Sequence, residues 1–305
     1  MRQSLLKSAN KSPFFQRLVN ILCLFKSNLF NPQEFPPGHY YSPIPLVKEI
    51  KEKESKIFNF PNCIPSVDLN EEEQIRLLKI FKQFYDEMPF KPNKQEGLRY
   101  YFENQYYSYC DAIFLYSMIR HTKPKNIIEV GSGHSSCVIL DTNEIFFNNS
   151  IQCTFIEPYP DRFVSLIKKS DIERIRIIKK DLQDMDLSLF QSLSENDILF
   201  IDSTHISKIH SDVNYIFFDI LPNLNEGVYI HFHDIFYPFE YPKEWIFRGR
   251  AWNEAYMLRS FLQYNNKFKI VFFNTYMAHT YKNILMEEYP LCMKNTGGSI
   301  WLKKC

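Results

Sequence analysis

Two short segments concentrate the side chains able to do acid–base or metal chemistry: Asp202-Ser-Thr-His205 and His231-Phe-His233-Asp234. Each stands at the end of a brief run rich in β-branched and aromatic residues, 198–201 and 228–232, of the kind that forms strands buried on both faces. In a parallel sheet, ligands and chemistry lie beyond the carboxyl ends of the strands, so Asp202, His205, His233 and Asp234 are expected to converge. Two carboxylates and one or two imidazoles within reach of each other can hold a divalent ion. They can equally hold one histidine as a general base oriented by an acid. Alternation along the strand sends His231 to the opposite face from Phe232, where a hydrogen-bonded structural role is the simpler expectation.

A third segment, Glu129-Val-Gly131-Ser132-Gly133-His134-Ser135, follows the strand candidate 126–130 and opens a helix. Two glycines between strand and helix allow a tight turn and a close approach of backbone to ligand, and the helix start offers unpaired N–H groups. The next strand candidate, 152–156, ends at Glu157, a carboxylate placed to accept from a ribose diol. Either a dinucleotide or a nucleoside such as S-adenosylmethionine fits this geometry. The third glycine of a dinucleotide loop is replaced by Ser136, and the acidic Glu129 suits a sulfonium or amine better than a diphosphate.

The elements that must position these groups alternate regularly. Strand candidates 126–130, 152–156, 174–178, 198–201 and 228–232 are separated by helix candidates 135–147, 161–170, 185–193 and 207–224. That order dictates right-handed βαβ units and a parallel sheet. A helix at 252–264 and late strands at 268–273 and 299–302 complete an α/β domain over 123–305. Residues 1–122 read as an N-terminal helical and loop extension, a cap on that domain. Within it Asn70 followed by three glutamates marks a helix start with a capping side chain, and a second helix is expected at 107–120.

The glycine turn and its surroundings resemble class I S-adenosylmethionine-dependent methyltransferases. IIEVGSGHSS resembles the first motif of that family, FIEP at 155–158 the second motif with its ribose acid, and KKDLQD at 179–184 the adenine-side loop. The resemblance covers residues 100–304 and implies a Rossmann-like sheet, mostly parallel, with an antiparallel last strand. It implies that S-adenosylmethionine is held by the turn Glu129, Gly131, Ser132, Gly133 and Ser135, by Glu157 at the ribose and by Asp181 at the adenine. The Asp-x-x-His after the fourth strand resembles the metal-dependent O-methyltransferases, especially the sugar-modifying kind, which carry an acidic pair after the fifth strand. That likeness implies a metal set of Asp202, His233 and Asp234, with His205 as the base. Here the pair is His233-Asp234 rather than two acids, and imidazole suits manganese, iron or zinc better than magnesium.

Composition narrows the partners. Basic residues number 36 and acidic ones 35, giving a net charge of +1, without the basic excess of a nucleic-acid binder. Seven scattered cysteines with no C-x-x-C pair point to neither a disulfide framework nor a zinc site, and to a reducing, cytoplasmic setting. Residues 1–33 carry five basic and no acidic residues, with an apolar stripe at 14–25 that can pack on a core or a partner subunit, or touch a membrane surface. The expected activity is methyl transfer (EC 2.1.1.-) to a small hydroxylated acceptor such as a sugar or glycan precursor. A catalytically silent cofactor-binding scaffold and a nicotinamide-dependent oxidoreductase are the alternatives, the first disfavoured by the Asp/His cluster and the second by the glycine pattern. A homo-oligomer is compatible with all three.

Overall fold

The computed structural model describes residues 34–305, and the basic segment 1–33 with its apolar stripe at 14–25 lies outside them. The chain divides between Ile57 and Phe58 into two compact units. In the first, the loop after Glu34 closes on itself, with Gly38 donating its N–H to the Ile44 carbonyl at 2.9 Å, before two short helices at Val47–Glu52 and Glu54–Ile57.

The second unit is built on a seven-stranded sheet: β1 (Asn126–Val130), β2 (Gln152–Ile156), β3 (Arg176–Ile178), β4 (Ile198–Ile201), β5 (Tyr229–His233), β6 (Phe268–Phe273) and β7 (Ser299–Lys304). The order is β3-β2-β1-β4-β5-β7-β6. The first five strands run parallel, while β7 is antiparallel to both β5 and β6. Every residue of β4 and β5 is buried, as expected of central strands with helices on both faces. This is the Rossmann-like, mostly parallel arrangement anticipated from the strand–helix alternation. Strand β5 runs one residue further than its apolar run because His233 still pairs with Ser299 of β7.

Three long helices position the site: α1 (Glu71–Asp86), α2 (Tyr109–Thr122) and α3 (His134–Phe147). Helix α2 is buried almost all round, from Tyr109 to Ile119, with the Phe114 ring 6.0 Å from Phe81 of α1 and 4.4 Å from Phe272 of β6. It ends at Lys123, in the left-handed conformation just before Pro124. Asn70 departs from expectation. Its side chain makes no cap but donates to the Ile270 carbonyl at 2.8 Å, tying the start of α1 to β6. A buried ion cluster braces α3: Arg99 pairs with Asp141 and Glu144 at 2.7 Å each and with Asp171.

Several helix expectations shorten, that at 161–170 to Asp161–Leu166, where Ile167 turns extended. Only Ser188–Gln191 is helical in 185–193, where Asp186 turns back to accept from the Ser188 N–H at 2.8 Å. The helix expected at 207–224 starts at Asp212, capped by Ser211, and widens into a π turn at Ile216–Ile220 just before Pro222. Residues 207–211 are held elsewhere, the Ser207 N–H donating to Asn253 Oδ1 at 2.6 Å. A last helix of note, α4 (Glu254–Leu262), follows that asparagine.

Candidate active site

The tips of β1, β2 and β4 are locked by main-chain bonds. Gly131 N–H donates to the Ile156 carbonyl at 3.0 Å, and Asp202 N–H donates to the Val130 carbonyl at 2.9 Å. Gly131 has φ of 80°, and a Cβ there would lie 2.5 Å from the Asp202 carbonyl oxygen. The crossing of two backbones therefore by itself requires glycine here. Gly133 is extended, at φ of 172°, and a Cβ there would meet only the end of Arg162 at 3.4 Å.

Glu129 is fully buried and accepts a hydrogen bond from Ser135 Oγ, while its second oxygen has no partner among the described residues. Burial, reinforced by the charges of Asp202 and Glu157, overrides the Ser135 and Ser136 hydrogen bonds and pushes its pKa up to about 8. Glu129 and Ser135 thus brace the turn from within. Glu157 sits at the end of β2, its Oε2 accepting from Ser132 Oγ at 3.3 Å and its Oε1 from the Tyr159 N–H at 2.9 Å.

Two cavities open along the sheet edge. The larger, about 510 Å³, is bordered by Gly131, Glu157, Asp181 and Asp202. The smaller, about 180 Å³, is bordered by Ser132, Gly133, Ser135, Asp202, His233 and Asp234. Asp202 borders both. His205 borders neither. It is 5% exposed and faces the centre through its Nε2, which lies 3.4 Å from Asp202 Oδ1 and 3.6 Å from Asp234 Oδ2.

The strand-end groups do converge. One ligand atom each of Asp202, His233 and Asp234 lies within 4.8 Å of the others. His233 Nδ1 is 3.4 Å from Asp202 and 3.8 Å from Asp234, both on Oδ1. His231 stays in the core, its ring stacked 3.9 Å from Phe200, and burial holds it well below its ordinary pKa.

Two acids invisible to local sequence reading complete the centre. Asp111, from α2, places Oδ2 3.7 Å from His233 Nε2, and its Oδ1 accepts from Gly298 N–H and Asn274 Nδ2 at 3.0 Å each. Glu254, at the start of α4, accepts from His205 Nδ1 at 2.8 Å and from Ser203 Oγ at 2.8 Å. Trp252 covers the His205 ring at 4.3 Å. No local spacing signals these partners; only the tertiary fold brings them in.

Four carboxylates therefore surround two imidazoles. Burial would depress the His205 imidazolium, but its hydrogen bonds to Asp202 and Glu254 outweigh that and push its pKa up to about 10. His233 is likewise raised, burial being overcome by the charges of Asp234 and Asp202 and by Asp111. Asp202 is held well below the carboxylate range: its burial is outweighed by His233 and His205. Asp234 is raised by burial despite the same imidazoles. The two imidazoles, held charged by these acids, offset part of the carboxylates' negative charge.

A Rossmann-like sheet with a glycine turn after β1, an acid after β2 and an Asp/His group at the tips of β4 and β5 defines a class of nucleoside-cofactor enzymes. A methyltransferase-domain family model matches residues 128–235. An uncharacterised protein of Archaeoglobus fulgidus is 38% identical over 168 residues, 53% of this chain and 75% of that protein. Among solved structures, CmcI with Mg and SAM is 21% identical, over 60% of this chain and 72% of that one, with a TM-score of 0.40. The SAH-bound Podospora anserina methyltransferase PaMTH1 is 14% identical, over 87% and 99% of the two chains, with a TM-score of 0.41. Residues 128–235 thus carry a methyltransferase domain, and the chain belongs to one family with the Archaeoglobus fulgidus protein. Among the described residues, no helix is long and apolar enough to cross a membrane.

Proposed function

We propose that this methyltransferase acts on a hydroxyl group of a small acceptor, such as a sugar or glycan precursor. The observation that carries the reading is the double role of Asp202, which borders both the cleft beside Glu157 and Asp181 and the lobe holding His233 and Asp234. S-adenosylmethionine would lie across that border. Gly131, Ser132 and Gly133 would take its methionine arm, Glu157 its ribose and Asp181 its adenine, with Glu129 and Ser135 stiffening the turn.

The methyl carbon of the cofactor is already electrophilic, so the protein must align the acceptor and remove its proton. His205 is the group to receive that proton at Nε2, because Nδ1 is committed to Glu254. It does so only in a state in which Asp202 and Glu254 no longer hold it as an imidazolium. Two carboxylates and an imidazole within 4.8 Å suit a divalent ion such as manganese, iron or zinc, with magnesium less well served. Bound there, the ion would lower the acceptor's pKa and orient it.

Calorimetry with S-adenosylhomocysteine, followed by a methyl-transfer screen over nucleotide sugars and glycans with and without divalent cations, tests the reading. Absence of cofactor binding would overturn it. Full activity in the presence of chelator would remove the metal and leave the methyl transfer.

A further inference from the structure

The segment between the short helix Lys243–Phe247 and α4 is fastened to the tip of β4. The N–H groups of Asn253 and Glu254 donate to the His205 carbonyl at 3.1 and 3.2 Å. On this fixed turn, the Trp252 ring meets His205 on one side and Trp245 edge-to-face at 5.4 Å on another. The Arg250 guanidinium lies over both indoles, 4.2 Å from Trp245 and 4.8 Å from Trp252. Arg250 is solvent-exposed, and among the described residues no hydrogen bond or ion pair engages its guanidinium.

An arginine stacked on two indoles has lost much of its rotamer freedom while keeping its five in-plane donors, so it is preorganised for a planar or tetrahedral oxyanion. It is linked to His205 through Trp252, whose ring meets both. The neighbouring centre carries four carboxylates, which would repel an anionic acceptor unless a cation anchored its far end.

We propose that Arg250, set by Trp245 and Trp252, is the anchor of an acceptor subsite selecting a hydroxylated ring that bears a carboxylate or a phosphate. Trp252 acts as the spacer that fixes how far the anion lies from the reacting hydroxyl. This rests on the reading of the Asp/His centre as the site of methyl transfer.

Two of the chain's three tryptophans belong to the subsite and the third, Trp301, is buried in β7, so intrinsic fluorescence reports on it directly. The full chain saturated with S-adenosylhomocysteine is titrated with glucose, glucuronic acid and glucose 6-phosphate. The anionic sugars should bind at least tenfold more tightly than glucose, and whichever binds better identifies carboxylate or phosphate as the source of charge. Arg250→Ala should bring all three within about twofold of one another with cofactor affinity unchanged, and Arg250→Lys should keep part of the preference. Equal binding of the three sugars by the wild type, or a preference that survives Arg250→Ala, overturns the subsite. The titration involves no turnover, so failure of S-adenosylhomocysteine to bind would count against the methyltransferase reading instead.

Discussion

Glu254 accepts the Nδ1 hydrogen of His205 at 2.8 Å across 49 residues of chain. The bond fixes which nitrogen of the imidazole faces Asp202 and Asp234, and Ser203 Oγ holds the other Glu254 oxygen in place. A histidine oriented in this way by a buried acid is prepared to act at one nitrogen only.

Glu254→Ala leaves a buried imidazole nitrogen without its partner. It should lower turnover about 10²-fold, the lower end of the span for a single acid–base group, with S-adenosylhomocysteine affinity unchanged. Glu254→Gln keeps an acceptor oxygen and should cost less. Steady-state rates set beside calorimetry separate the outcomes: equal loss of binding and rate would make Glu254 a general support of the fold.

Gly131→Ala and Gly133→Ala should behave oppositely. The first forces a side chain at φ of 80° into the Asp202 carbonyl and should destabilise by about 1–3 kcal/mol, displacing Asp202 as well. The second meets only the flexible end of Arg162 and should cost about 1 kcal/mol or less. Denaturant melts of the two variants decide, and comparable losses would refute the crossing-backbone account.

Removing the acid proposed to hold the ribose isolates cofactor recognition from folding. Glu157→Ala should weaken S-adenosylhomocysteine by about 1.5–3 kcal/mol, the value of hydrogen bonds to a charged group. Unchanged affinity by calorimetry would take Glu157 out of the cofactor site.

Burial makes Glu129 a source of pH dependence. Its folded pKa is raised to about 8, so the folded state binds its proton more tightly than the unfolded chain does. This stability is fully present below the ordinary glutamate value and is lost as pH rises towards 8. Glu129→Gln should flatten that slope, giving a variant whose advantage over the wild type grows between about pH 4.5 and 8. Parallel stability curves for the two proteins over that window would contradict it.

The sequence made the sheet legible because its signal is local. Strands β1, β2, β4 and β6 begin and end where their apolar runs do, and β1 and β4 are buried almost throughout. The glycine turn was equally plain, although the reason for Gly131 was not: the Asp202 carbonyl that excludes a side chain belongs to another strand. Helix 185–193 failed because Asp186 offered the backbone a turn instead of a helix. Asp111 and Glu254 could not be anticipated at all. They arrive on α2 and α4, and they, with Asp202 and Asp234, set the charge on His233 and His205, a property of the assembled centre rather than of any segment.

Asp202 serves two neighbours with different parts of itself, its carbonyl pressed against Gly131 and its carboxylate set among the imidazoles. Under the proposed function, the occupants of the two cavities would meet at this one residue. By linkage, whatever factor a divalent ion applies to the affinity for S-adenosylhomocysteine, the nucleoside must return to the ion in equal measure.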